Sequence, residues 1–103
     1  MKQYTDAVQT ARLIQLGFPA PKSVSKLSLD MDMDTVPSFA YSIGELIEML
    51  PPRVSKWDLD IWHDYGFERW IICFDPRTST SAATELIDAI YNLIVKLKEE
   101  GVI

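Results

Sequence analysis

Trp70-Ile71-Ile72-Cys73-Phe74 is the longest unbroken apolar run in the chain. A strand that is apolar on both faces belongs in the middle of a covered sheet. Just before it, Trp57-Asp58-Leu59-Asp60-Ile61-Trp62 alternates, and His63-Asp64-Tyr65-Gly66 carries turn chemistry. The segment Trp57 to Phe74 therefore reads as two strands joined by a turn. Two registers compete. A type I turn closed by a left-handed Gly66 sets Trp62 opposite Glu68 and Ile61 opposite Arg69. A two-residue loop at Tyr65-Gly66 sets Ile61 opposite Trp70, Leu59 opposite Ile72 and Trp57 opposite Phe74. Turn chemistry favours the first, segregation of apolar residues the second. In either, Asp58, Asp60 and Trp62 share a face.

The other elements can cover such a hairpin. Asp6 to Leu16 reads as a helix capped by Thr5, with an apolar stripe of Val8, Ala11, Leu13, Ile14 and Leu16. Gly17 ends it, Phe18 folds back and Pro19 prevents resumption. Leu27, Leu29, Met31 and Met33 alternate with Ser28, Asp30, Asp32 and Asp34, the pattern of a strand with one wet face. Ser42-Ile43-Gly44-Glu45 is a capping box for a helix from Ile43 to Leu50, stopped by Pro51-Pro52. Asp75 to Ser81 is a polar loop. Thr80 or Ser81 then caps a final helix to about Glu100, with Ala83, Leu86, Ile87, Ile90, Ile94 and Leu97 as its stripe. Tyr91, Leu93 and Val95 widen that stripe, so the helix is heavily covered or reaches into a partner. Gly101 terminates it and Val102 packs back. The expected fold is one α+β domain over residues 1–103. Its order is α-β-α-β-β-α, with a three-stranded, mainly antiparallel sheet and three helices.

Composition narrows the function classes. A chain of 103 residues with 48% apolar residues is long enough for one packed core and too short for two ordinary domains. Cys73 is the only cysteine, so no internal disulfide and no multi-cysteine metal site is possible, and its apolar neighbours make it a core residue. No run reaches the roughly 18 apolar residues of a membrane span, and the first residues lack a signal-peptide core. A soluble, cytoplasmic protein is expected. The net charge of −5 is uneven. Residues 30–68 hold nine acids and only Arg53 and Lys56 as bases, which leaves that stretch at −7 and the remainder at +2. Nucleic acid is not an expected partner. An acidic face suits a basic protein surface or a cation, or serves solubility.

No motif specifies a reaction. Asp30-Met31-Asp32-Met33-Asp34 fails as an EF-hand loop, because Thr35 and Tyr41 stand where Gly and a bidentate Glu are needed. A divalent-cation or small-ligand site remains open if Asp30, Asp32 and Asp34 lie beside Asp58 and Asp60. His63 has Asp64 beside it and Glu68 across the turn, as a general base would, but no nucleophile at a recognisable spacing. The four single glycines fit caps, a helix start and a turn, not a phosphate loop. No cofactor is expected. Trp62 and Tyr65, beside Asp58 and Asp60, would form a protein contact if exposed. Coverage of Trp62 by a helix is the competing reading.

Three stretches carry a resemblance. They are Ala11-Arg12-Leu13-Ile14-Gln15-Leu16-Gly17-Phe18-Pro19, Tyr41 to Pro51, and Glu85-Leu86-Ile87-Asp88-Ala89 with Leu97-Lys98-Glu99-Glu100-Gly101-Val102-Ile103. Together they resemble a set of short uncharacterised bacterial proteins of phage or mobile-element type. No site residues come with the resemblance; it implies an accessory or interaction role. The expectation is therefore a small accessory protein without catalysis of its own, able to self-associate or to meet a partner with a basic surface.

Overall fold

A computed structural model describes residues 2–25 and 38–103. Among these residues, the α+β class, three helices and a three-stranded antiparallel sheet are as expected. The chain also forms two short antiparallel pairs, and the third strand of the main sheet is not the one anticipated. The Leu27–Met33 alternation, with Asp30, Asp32 and Asp34, lies outside the described residues.

Helix α1 spans Ala7–Gln15. Its cap is Asp6, one residue later than expected. The Asp6 carboxylate accepts from the Gln9 N–H at 2.8 Å, and the Gln9 side chain accepts from the Asp6 N–H at 3.0 Å. Gln at the third helical position lets Asp6 form a reciprocal capping box, and that favours it as the cap. Thr5 turns inward instead. It is buried, and its hydroxyl accepts from the Tyr41 N–H at 3.0 Å. The other end follows the sequence. Gly17 adopts φ +96°, its N–H donates to Ile14 O, and Phe18 N–H donates to Leu13 O, a complete Schellman closure. An added Cβ at Gly17 would meet nothing within 4 Å. Gly17→Ala therefore isolates the backbone strain. It should lower the unfolding free energy by about 1 kcal/mol in urea titrations.

Strand β1 (Ser23–Ser25) pairs antiparallel with β2 (Ser38–Ala40). Helix α2 (Ile43–Met49) starts in the Ser42–Glu45 capping box and ends at an extended Leu50 ahead of the two prolines. The first arm of the anticipated hairpin is split. Strand β3 (Arg53–Val54) pairs with β4 (Trp57–Asp58) across Ser55-Lys56, with Ser55 at φ +55°. After Leu59 the chain starts β5 (Asp60–Asp64), which pairs with β6 (Arg69–Cys73). Strand β7 (Thr80–Ala83) completes the sheet on the other side of β6, in the order β5-β6-β7. The apolar run is thus the middle strand. Residues 80–83 were expected to be loop and helix start. Their two alanines favour helix locally, but the open edge of β6 offers a ladder of backbone hydrogen bonds, and pairing prevails.

Helix α3 (Leu86–Glu99) crosses one face of this sheet and packs on α2, β6 and β7. Ile87, Ala89, Ile90, Leu93, Ile94 and Leu97 are all fully buried. Each large member contributes about 1.5–3 kcal/mol by leaving water. Ile61, Trp70 and Ala83 pack against this core, and Ile72 and Phe74 belong to it. Of the α1 stripe, Leu13 is buried, whereas Val8 is 79% exposed and Ile14 points outward. Gln9 makes the inward tie, donating to Asp88 of α3 at 2.8 Å. Among the described residues, no helix is long and apolar enough to cross a membrane.

Candidate interaction surface

The register of β5 and β6 matches neither anticipated alignment. Ile61 faces Ile72, Trp62 faces Ile71 and Asp64 faces Arg69, which leaves Tyr65-Gly66-Phe67-Glu68 as a four-residue loop. Gly66 is not the left-handed residue; Glu68 is, at φ +50°. The Asp64 carboxylate accepts from the Gly66 N–H at 3.1 Å and lies 3.5 Å from Arg69 Nε. Asp64 thus starts the turn as an aspartate often does, by binding the backbone two residues on. Sequence-based alignments missed this because each spent fewer residues on the loop.

The longer loop changes what the tip displays. Ile61 and Trp70 turn towards α3, while Trp62 and Ile71 turn away from it. Trp62 is 41% exposed, Tyr65 84% and Phe67 75%. Phe67 stands in the loop, with the Arg69 guanidinium 5.0 Å from its ring. Its position next to Gly66 was the one available signal. Tyr65 lies against His63 on the side of Trp70 and Trp62 stands on the opposite face, so the hairpin exposes aromatics on both its faces and its loop, where large rigid side chains present apolar area at low entropic cost.

His63 holds the tip together. Its ring meets Tyr65 edge-on at 4.5 Å and Trp70 edge-on at 5.0 Å. Its Nδ1 is buried with no hydrogen-bond partner among the described residues. Among the described residues, the neighbouring Asp64 binds Gly66 and Arg69 and not His63. Cys73 is buried, and burial followed by the charge of Asp60 pushes its thiol above the ordinary range.

The acidic residues are dispersed. Asp58 sits on β4 and binds Arg53 at 2.9 Å, both on the surface. Asp60 begins β5 and is exposed. Among the described residues, no group of three or more metal-ligating side chains converges. Asp30, Asp32 and Asp34, the rest of the anticipated cation site, lie outside the described residues.

A groove of about 370 Å³ lies elsewhere, lined by Phe18, Tyr41, Glu45, Glu48 and Met49 among others. Its central polar groups already have partners. The Tyr41 hydroxyl donates to Pro19 O, and Glu45 accepts from the Lys22 N–H at 2.9 Å and from Ser23 and Ser42. Burial works to raise the Glu45 pKa, but these donors outweigh it and hold the carboxyl below its usual range. Burial, then the Glu45 charge, pushes the Tyr41 phenol up. This polar centre ties α2 to the segment after α1. No family model matches the chain, and neither do curated proteins or solved structures.

Proposed function

We propose that the chain is a small, soluble, cytoplasmic accessory protein that acts by binding another protein through the β5–β6 tip, with no catalysis of its own. The observation that carries this reading is the exposure of Tyr65 and Phe67 on a loop held by the Asp64 turn and the His63 stack, with Trp62 exposed on the adjoining strand. Interfaces concentrate their energy in such aromatics. Asp60, exposed on the same face of β5 as Trp62, favours a partner with a basic surface. The resemblance to phage- or mobile-element-type proteins fits an accessory role of this kind. The test is capture from a lysate at low salt by the tagged protein, followed by titration with the captured partner. Trp62→Ala and Tyr65→Ala should each weaken binding by roughly tenfold or more, with circular dichroism unchanged. Identical capture by both variants would reject the surface.

A further inference from the structure

Strand β5 is an edge of the main sheet, and among the described residues nothing pairs with its outer side. It shows a symmetric row on the face away from α3, with Asp60, Trp62 and Asp64 at alternate positions. Asp60 is exposed and forms no ion pair among the described residues, while Asp64 shares its charge with Arg69. An edge strand without a neighbour among the described residues is a template for another strand, and charges on it decide which one. A second copy is the wrong occupant. Antiparallel pairing of β5 with itself about Trp62 would set Asp60 opposite the other copy's Asp64, twice over, and like charges directly opposite are destabilising. An extended segment with cations four residues apart and an apolar residue between them meets the row with a cation at Asp60, a second at Asp64, which also binds Arg69, and its apolar residue at Trp62.

Resting on the proposed contact surface, we infer that β5 takes its partner as an added fourth strand, a basic extended segment of the form cation-x-apolar-x-cation. Main-chain pairing would supply affinity, and the alternate side chains would supply selection. The added strand would run beside Trp62 and end next to the tip that carries Tyr65 and Phe67.

The probe is a blocked heptapeptide with lysine at its second and sixth positions, leucine at the fourth and threonine between. Its control has the same composition with the two lysines adjacent. Titration is followed by amide and indole NMR shifts of the full chain. The spaced peptide should shift the Asp60–Asp64 amides and the Trp62 indole, and bind at least tenfold more tightly than the control. Asp60→Asn should weaken it about threefold. Equal binding of the two peptides, shifts confined to Tyr65–Glu68, or no shift at millimolar peptide would each overturn strand addition. If the peptides fail while Trp62→Ala and Tyr65→Ala still lose the captured partner, strand addition is wrong and the contact surface stands. If the alanine variants bind that partner unchanged as well, both readings fall.

Discussion

Leu93→Ala should lower the unfolding free energy by about 3–4 kcal/mol, read from urea or thermal denaturation. Leu93 sits in the middle of α3, fully buried in the core cluster. Truncation removes the transfer free energy of the lost carbons and leaves a cavity that a close-packed interior fills only in part. In a domain of this size, each kcal/mol corresponds to about 4–8 °C in Tm, so the variant should melt far below the parent. The contrast is Val8→Ala on α1. The sequence pattern places Val8 in an apolar stripe, yet it is 79% exposed. Its replacement should change stability by no more than about 0.5 kcal/mol. Equal losses in the two variants would contradict the packing described.

Asp88→Ala should cost about 2 kcal/mol, because Asp88 is the acceptor at the centre of a polar knot. Lys2 Nζ donates to it at 2.8 Å, as does the Gln9 side chain, while the Lys2 backbone N–H donates to Glu85 at 2.9 Å. The lysine and aspartate side chains are only 23% and 31% exposed. Removing the carboxylate strands a half-buried ammonium, and hydrogen bonds to charged groups carry more than neutral ones. Burial works to raise the Asp88 pKa, but the bonds from Lys2 and Gln9 outweigh it and hold the carboxyl below its ordinary range. Burial works to lower the Lys2 pKa, and Asp88 then Asp6 outweigh it and hold the ammonium above its ordinary range. The sign follows from linkage. The Asp88 contribution is complete above the unfolded carboxyl value of about pH 4 and fades as pH falls through the lower folded value. The Lys2 contribution is complete below about pH 10 and fades as pH rises through the higher folded value. Between those limits the deficit of Asp88→Ala should stay constant, and it should shrink in acid. A deficit that grew in acid would mean that the pair does not hold α1 against α3.

The features that were readable in the sequence are those decided within a few residues. Gly17-Phe18 and Gly101-Val102 close their helices with the backbone bonds the pattern implies, and Ser42–Glu45 caps α2. The α3 stripe is readable because a 3.6-residue period needs no partner to be seen. The apolar run was placed correctly in the middle of the sheet. What was not readable depends on distant partners. Residues 80–83 become a strand only because β6 has a free edge there, and the break at Leu59 follows from β4 pairing back with β3. The loop from Tyr65 to Glu68 was misjudged because Gly66 drew the turn to itself, whereas Glu68 takes the left-handed position. At the candidate surface, the sequence points to Trp62 and Tyr65, and both are exposed. The exposure of Phe67 and the packing of His63 emerged only with the true register. Asp60 shares the β5 face with Trp62, whereas Asp58 stands on β4, paired with Arg53, and not on that face.

The knot at Asp88 joins residues 86 positions apart, whereas β5, β6, β7 and α3 follow one another directly along the chain. Closing a long loop costs entropy before any contact compensates it, while neighbouring strands and a following helix close only short ones. The carboxy-terminal half can therefore assemble as a nucleus, and α1 docks onto it afterwards. In native-state hydrogen exchange, the α1 amides should open at lower free energy than those of β6 and α3. The same order leaves the β5–β6 tip formed early, at the margin of the first structure to appear.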